Sequence, residues 1–176
     1  NESINITDAG LETNEPQNCS YMYKTVWYAF TPSETMTVRM DTQGSAIGAN
    51  LNVYQPYGSG ISEQNFLGCT VNTGSTTFLA EAGQTYLLQA GNIYGQDGTI
   101  QINLNQSIPP SNDNFTNAQD ISALPFNVTA NITDATTESS EPQYCYSLNK
   151  TVWYSFTSTE TIIVRAGTQG SAISGS

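Results

Sequence analysis

The sequence predicts an all-β protein, an antiparallel β-sandwich of jelly-roll or immunoglobulin-like type, on three observations. Apolar and polar residues alternate at period two along most of the chain. Gly, Pro, Asn and Ser punctuate the alternating runs at spacings of about 8–12 residues, the rhythm of short antiparallel strands. The text also returns: residues 5–50 laid without a gap on residues 131–176 give 27 identities in 46 positions. A period of 126 residues is the size of a small domain, not of a solenoid repeat, so tandem domains are expected.

In the first run, Ile4 and Ile6 oppose Asn1 and Asn5. In TVWYAF, residues 25–30, Val26, Tyr28 and Phe30 share one face, while Trp27 takes the other with Thr25 and Ala29. In TMTVRMD, Met36, Val38 and Met40 alternate with Thr37, Arg39 and Asp41. Further strands are predicted at 50–54, 64–70, 76–81 and 85–90. Near the end of the first unit, Ile100, Ile102 and Leu104 oppose Thr99, Gln101 and Asn103. The one helix-like segment is a turn at 115–120, FTNAQD. GQDG at 95–98 is a hairpin turn signal.

NQSIPPSND, residues 105–113, has two prolines and no alternation, so it reads as a linker. The expected division is a first repeat over 1–108, lacking its N-terminal strand, and the N-terminal part of a second, identical-type repeat over 109–176. Each is expected to be an open sandwich with unpaired edges. Completion would come from continuation of the polypeptide or from strand donation between subunits. Continuity is favoured, because residues 127–176 duplicate residues 1–50 and do not complement them.

Four basic residues against 15 acidic ones give a net charge of -11, which argues against nucleic acid and anionic membranes as partners. No apolar run reaches the length of a membrane span. Ser, Thr and Asn make up 58 of 176 residues and only 11% are charged, against about 25% in ordinary globular domains. Such a surface of hydroxyls and amides points to an extracellular protein.

Residues 112–145, NDNFTNAQDISALPFNVTANITDATTESSEPQYC, followed by KTVWYSFT, resemble the opening of extracellular repeats related to the pre-peptidase C-terminal domain. TQGSAIGANLNVYQP, NFLGCTVN and AGQTYLLQAGNIYGQDGTIQINL, within 42–104, resemble the second half of that unit. The resemblance spans essentially the whole chain in permuted order. It implies a non-catalytic β-sandwich module of secreted and surface proteins, found in tandem. The family's acidic positions after Gly-Ser and after the second Cys are Ala46 and Thr70, Val71 and Asn72 here.

Cys19 and Cys69 fall in one unit, and Cys145 is the counterpart of Cys19. A Cys19–Cys69 disulfide is expected, with the partner of Cys145 about 50 residues on, outside this chain. The alternative is a set of buried free thiols. Eight N-x-S/T sequons occur, at Asn1, Asn5, Asn18, Asn105, Asn114, Asn127, Asn131 and Asn149. Chance at this composition gives about four. The repeat-matched Asn5 and Asn131 are the first candidates for N-glycans, and a plain polar strand face is the alternative.

Trp27 and Trp153 are read as core residues, with sugar stacking the alternative. Tyr21, Tyr23, Tyr54, Tyr57 and Tyr94 are read as mostly half-buried, with an exposed aromatic patch the alternative. With no histidine there is no Ser-His-Asp triad, no Cys-His pair and no His-ligated zinc. No carboxylate pair has motif support for glycosidase chemistry. Asp113 is read as a turn cap and not as a calcium ligand. No catalytic, cofactor-binding or metal-ligating residue is assigned, and no enzyme is expected. The first expectation is an extracellular structural module whose partners are copies of itself in a stalk or fibril. A carbohydrate-binding or adhesive module on a secreted enzyme or adhesin is the second, and a secreted hydrolase the third.

Overall fold

The computed structural model describes residues 1–60, 64–72, 74–142 and 149–172. The chain divides into two compact units, Asn1–Ser107 and Ile108–Ser176.

The first unit holds β1 (Glu2–Asn5), β2 (Lys24–Phe30), β3 (Met36–Asp41), β4 (Asn50–Pro56), β5 (Gln64–Val71), β6 (Ser75–Ala80), β7 (Tyr86–Asn92) and β8 (Thr99–Gln106). They form two four-stranded sheets, ordered β1-β8-β3-β6 and β2-β7-β4-β5. Every pairing in the two sheets is antiparallel. That order belongs to the eight-stranded jelly roll; an immunoglobulin domain orders its strands differently.

Period-two alternation assigns the faces. Val38, Met40, Phe78, Ile100 and Ile102 from one sheet join Leu51, Val53, Leu88 and Ala90 from the other in a single buried cluster. Val26, Tyr28 and Phe30 pack against it from β2. Burying one such side chain stabilises by about 1.5–3 kcal/mol relative to exposure. Ile4 packs on the cluster and Ile6 is fully buried, while Asn1 and Asn5 face solvent, as the alternation of the first run requires.

The first unit is less open than the sequence suggested, since residues 1–107 supply both sheets and a shared core. The second unit shows why. The segment without a counterpart in the first unit contributes a 3-10 turn at Phe115–Asn117 and a two-residue strand, β9 (Gln119–Asp120). It lies parallel to β10 (Tyr154–Ser155), along an edge. Ile162, Ile163 and Val164, the counterparts of Met36, Thr37 and Val38, are outside any strand and exposed.

Candidate functional site

Beneath the apolar core, the sheet β2-β7-β4-β5 has an outer face that the alternation makes polar. Thr25 and Trp27 on β2, Gln89 on β7, and Asn50, Asn52 and Tyr54 on β4 all turn away from the core residues between them. A free outer face would leave them wet. Instead Thr25, Asn50, Asn52, Tyr54 and Gln89 are buried, and the connection between β1 and β2 bonds Thr25, Tyr54 and Gln89 directly. Met22 of that connection is fully buried and sits where β7 carries Gly91. A Cβ at Gly91 would lie 2.2 Å from Lys24 O and 3.0 Å from Met22 Sδ, so no other residue fits.

The covering segment is tied down at Cys19, disulfide-bonded to Cys69 of β5 with Cα atoms 6.5 Å apart. Its second anchor is Glu15, only 8% exposed. The carboxylate accepts from Thr25 Oγ1 at 3.0 and 2.7 Å, from Gln89 Nε2 at 2.9 Å and from Glu12 N at 2.9 Å. Asn52 Nδ2 donates to Gln89 Oε1 at 3.0 Å, and the Tyr54 hydroxyl lies 3.1 Å from that same oxygen and from Asn18 Oδ1. One buried carboxylate thus joins the covering segment to β2 and β7, and through Gln89 to β4. Both its oxygens are occupied by neutral donors. Lys24 turns elsewhere, to Thr7 O and the Asp97 carboxylate.

The same bonds recur 126 residues on. Glu141 accepts from Glu138 N at 3.0 Å and from Thr151 Oγ1 at 2.7 Å, as Glu15 does from Glu12 and Thr25. Thr151 N and Oγ1 both reach Thr136 O, matching Thr25 on Gly10 O. Lys150 Nζ reaches Thr133 O as Lys24 reaches Thr7 O, and Thr133 N reaches Asn131 Oδ1 as Thr7 N reaches Asn5 Oδ1. Burial tends to raise the Glu141 pKa, but the hydrogen bonds from Glu138 N–H, Thr151 and Trp153 prevail, so it lies below the ordinary carboxylate value.

All eight sequon asparagines are exposed. Asn131 lies outside any strand, whereas its counterpart Asn5 ends β1; Asn127, like its counterpart Asn1, is outside any strand. Cys145 lies outside the described residues. Asp113 is buried and accepts from Thr136 N at 2.7 Å and Thr136 Oγ1 at 2.6 Å. Two aromatic readings need correction. Trp27 does not join the core cluster; it is half-buried on the opposite face, its ring 5.8 Å from that of Tyr54. Tyr21, Tyr23, Tyr57 and Tyr94 are each more than half exposed, because they sit on connections and not on strands.

Tyr54 is 1% exposed, and burial, reinforced by Glu15, pushes its pKa up to about 12 against a hydrogen bond from Asn52. The folded state therefore favours the neutral phenol. Its stabilising contribution is fully present below pH 10 and is lost as pH rises through about 12. Tyr54→Phe is expected to cost about 1–2 kcal/mol at neutral pH and to flatten this alkaline loss. Denaturant titrations at pH 8 and pH 11 check it, and an unchanged alkaline loss in the variant would assign the effect to other groups.

The carboxylate hub was not anticipated, although its signals are in the text. Glu-Pro-Gln recurs at 15–17 and 141–143, and Asn50, Asn52 and Gln89 interrupt otherwise apolar strands. No protein-family model, no curated protein and no solved structure matches the chain.

Proposed function

We propose that this chain is a non-catalytic extracellular structural module, a run of tandem β-sandwich repeats of the pre-peptidase C-terminal kind that builds a surface stalk or fibril. The observation that carries the reading is the recurrence of one hydrogen-bond pattern around Glu15 and Glu141 at the 126-residue period. A unit copied with its internal ties is what an array needs, because every copy must hold its own shape while touching neighbours of the same kind. The disulfide suits an oxidising, extracellular setting. The sequon asparagines, exposed throughout, carry N-glycans in this reading, Asn5 and Asn131 first.

Gold-labelled antibody against the chain, viewed by electron microscopy of the producing cells, tests the proposal. Label along external filaments supports it, and label confined to the cell interior overturns it. Intact mass of the native material, before and after an N-glycan amidase, tests the sugars. No mass change removes them.

A second reading, a carbohydrate-binding or adhesive module of a secreted enzyme or adhesin, is favoured by the exposed Tyr21–Tyr23 pair, whose ring centroids lie 5.0 Å apart in an edge-on arrangement. Exposed aromatic rings are platforms for sugar rings. Saturable binding on a glycan array, lost in Tyr21→Ala, would move the assignment there.

A further inference from the structure

The outer edge of β2 is the place where the second unit shows what the first can bind. β2 is the first strand of its sheet, and among the described residues no strand lies along its other side. Thr25 N bonds Gly10 O and not β7. In an antiparallel pair the bonding direction alternates, so Trp27 and Ala29 also turn N–H and C=O toward that open side.

In the second unit the matching strand is covered. Trp153 N donates to Asn112 O at 2.8 Å, and Asn112 Nδ2 donates to Trp153 O at 2.9 Å. Gln119 N reaches Trp153 O at 3.0 Å, and Ile121 N reaches Ser155 O at 2.8 Å. Between these ties Phe115 sets its ring edge-on against Trp153, centroids 5.1 Å apart, and donates its N–H to Glu138 Oε2 at 2.8 Å.

The counterparts of Trp153 and Glu138 in the first unit are Trp27 and Glu12. Both line an open cavity of about 350 Å³, together with Pro56, Gln64 and Leu87. Trp27 Nε1 is buried without a hydrogen-bond partner. Gly10, the counterpart of Thr136, has nothing within 4 Å of where a Cβ would stand, so it leaves space beside this edge but lacks the hydroxyl that Thr136 donates to Asp113.

We propose that the β2 edge and this cavity receive a second copy of residues 112–121, presented by another molecule of the chain, with Phe115 seated between Trp27 and Glu12. KTVWYAFT and KTVWYSFT differ at one position, so the first unit offers the backbone groups and rings that the second already uses. Strand addition of this kind takes affinity from main-chain bonds and specificity from one side-chain pocket. The inference rests on the self-associating array proposed above. Filaments without peptide binding would sink the docking alone, and binding without filaments would sink the array alone.

The test uses the full chain and a fluorescein-labelled peptide, NDNFTNAQDI. Anisotropy should show saturable binding, and hydrogen exchange should place new protection at Trp27 and Ala29, whose amides face the open edge. A peptide with Phe115→Ala should bind about tenfold more weakly. The chain variant Glu12→Ala, changed at an exposed side chain, should lose about threefold. No binding, equal binding by the alanine peptide, or new protection at Tyr154 and Ser155 in place of Trp27 would each overturn the proposal.

Discussion

Replacing Cys69 by Ser, or reducing its bond to Cys19, is expected to destabilise the Asn1–Ser107 unit by about 4 kcal/mol. The bridge closes a span of 50 residues, and an unfolded chain freed of that constraint gains the corresponding entropy. Whole domains are stable by only about 5–15 kcal/mol, so the loss is a large share. It should also be local: the segment between β1 and β2 would exchange its amides before the core strands do. Denaturant unfolding with and without reductant reads the first effect. A midpoint that does not move would mean that the bridge contributes nothing to folding.

Glu15→Ala is expected to cost about 3–5 kcal/mol, because it leaves the buried Gln89 Nε2 and the Glu12 N–H without acceptors. Thr25 keeps one partner, Gly10 O at 3.2 Å, so its hydroxyl adds little to the loss. Glu141→Ala makes the contrast. Glu141 is half-buried and has no Gln89 counterpart within the 176 residues, so its removal should cost only a fraction as much. Equal small losses at both positions, measured by denaturant titration, would contradict the hub as the tie that holds the covering segment.

The strands were legible because a half-buried strand writes its own pattern: Val38 with Met40, and Ile100 with Ile102, alternate as their burial does. Their partners were not legible. Alternation says which face is buried but not that β1 lies beside β8, or β2 beside β7. The hub was hidden for the same reason. Asn52 and Gln89 look solvent-facing until a distant segment is known to cover them, and that depends on Glu15, 74 residues from Gln89. Trp27 was placed in the core by residue type although its own alternation turned it outward.

KTVWYSFT repeats KTVWYAFT almost letter for letter, yet only Tyr154–Ser155 of it is strand. Strand structure belongs to pairs, and no second copy of the β7 text follows it within the 176 residues. Local text therefore sets the propensity, and a neighbour decides the outcome.

That neighbour can be supplied. If the chain is one unit repeated every 126 residues, residues 51–107 fused after Ser176 should complete the second unit. The measurement is amide hydrogen exchange at Ile162, Ile163 and Val164 in the extended chain. Protection there should rise to the level of Met36, Thr37 and Val38 in the first unit, as the exposed segment becomes a second β3. Exchange that stays at free-peptide rates at these three residues, with the first unit still protected, would contradict the repeat.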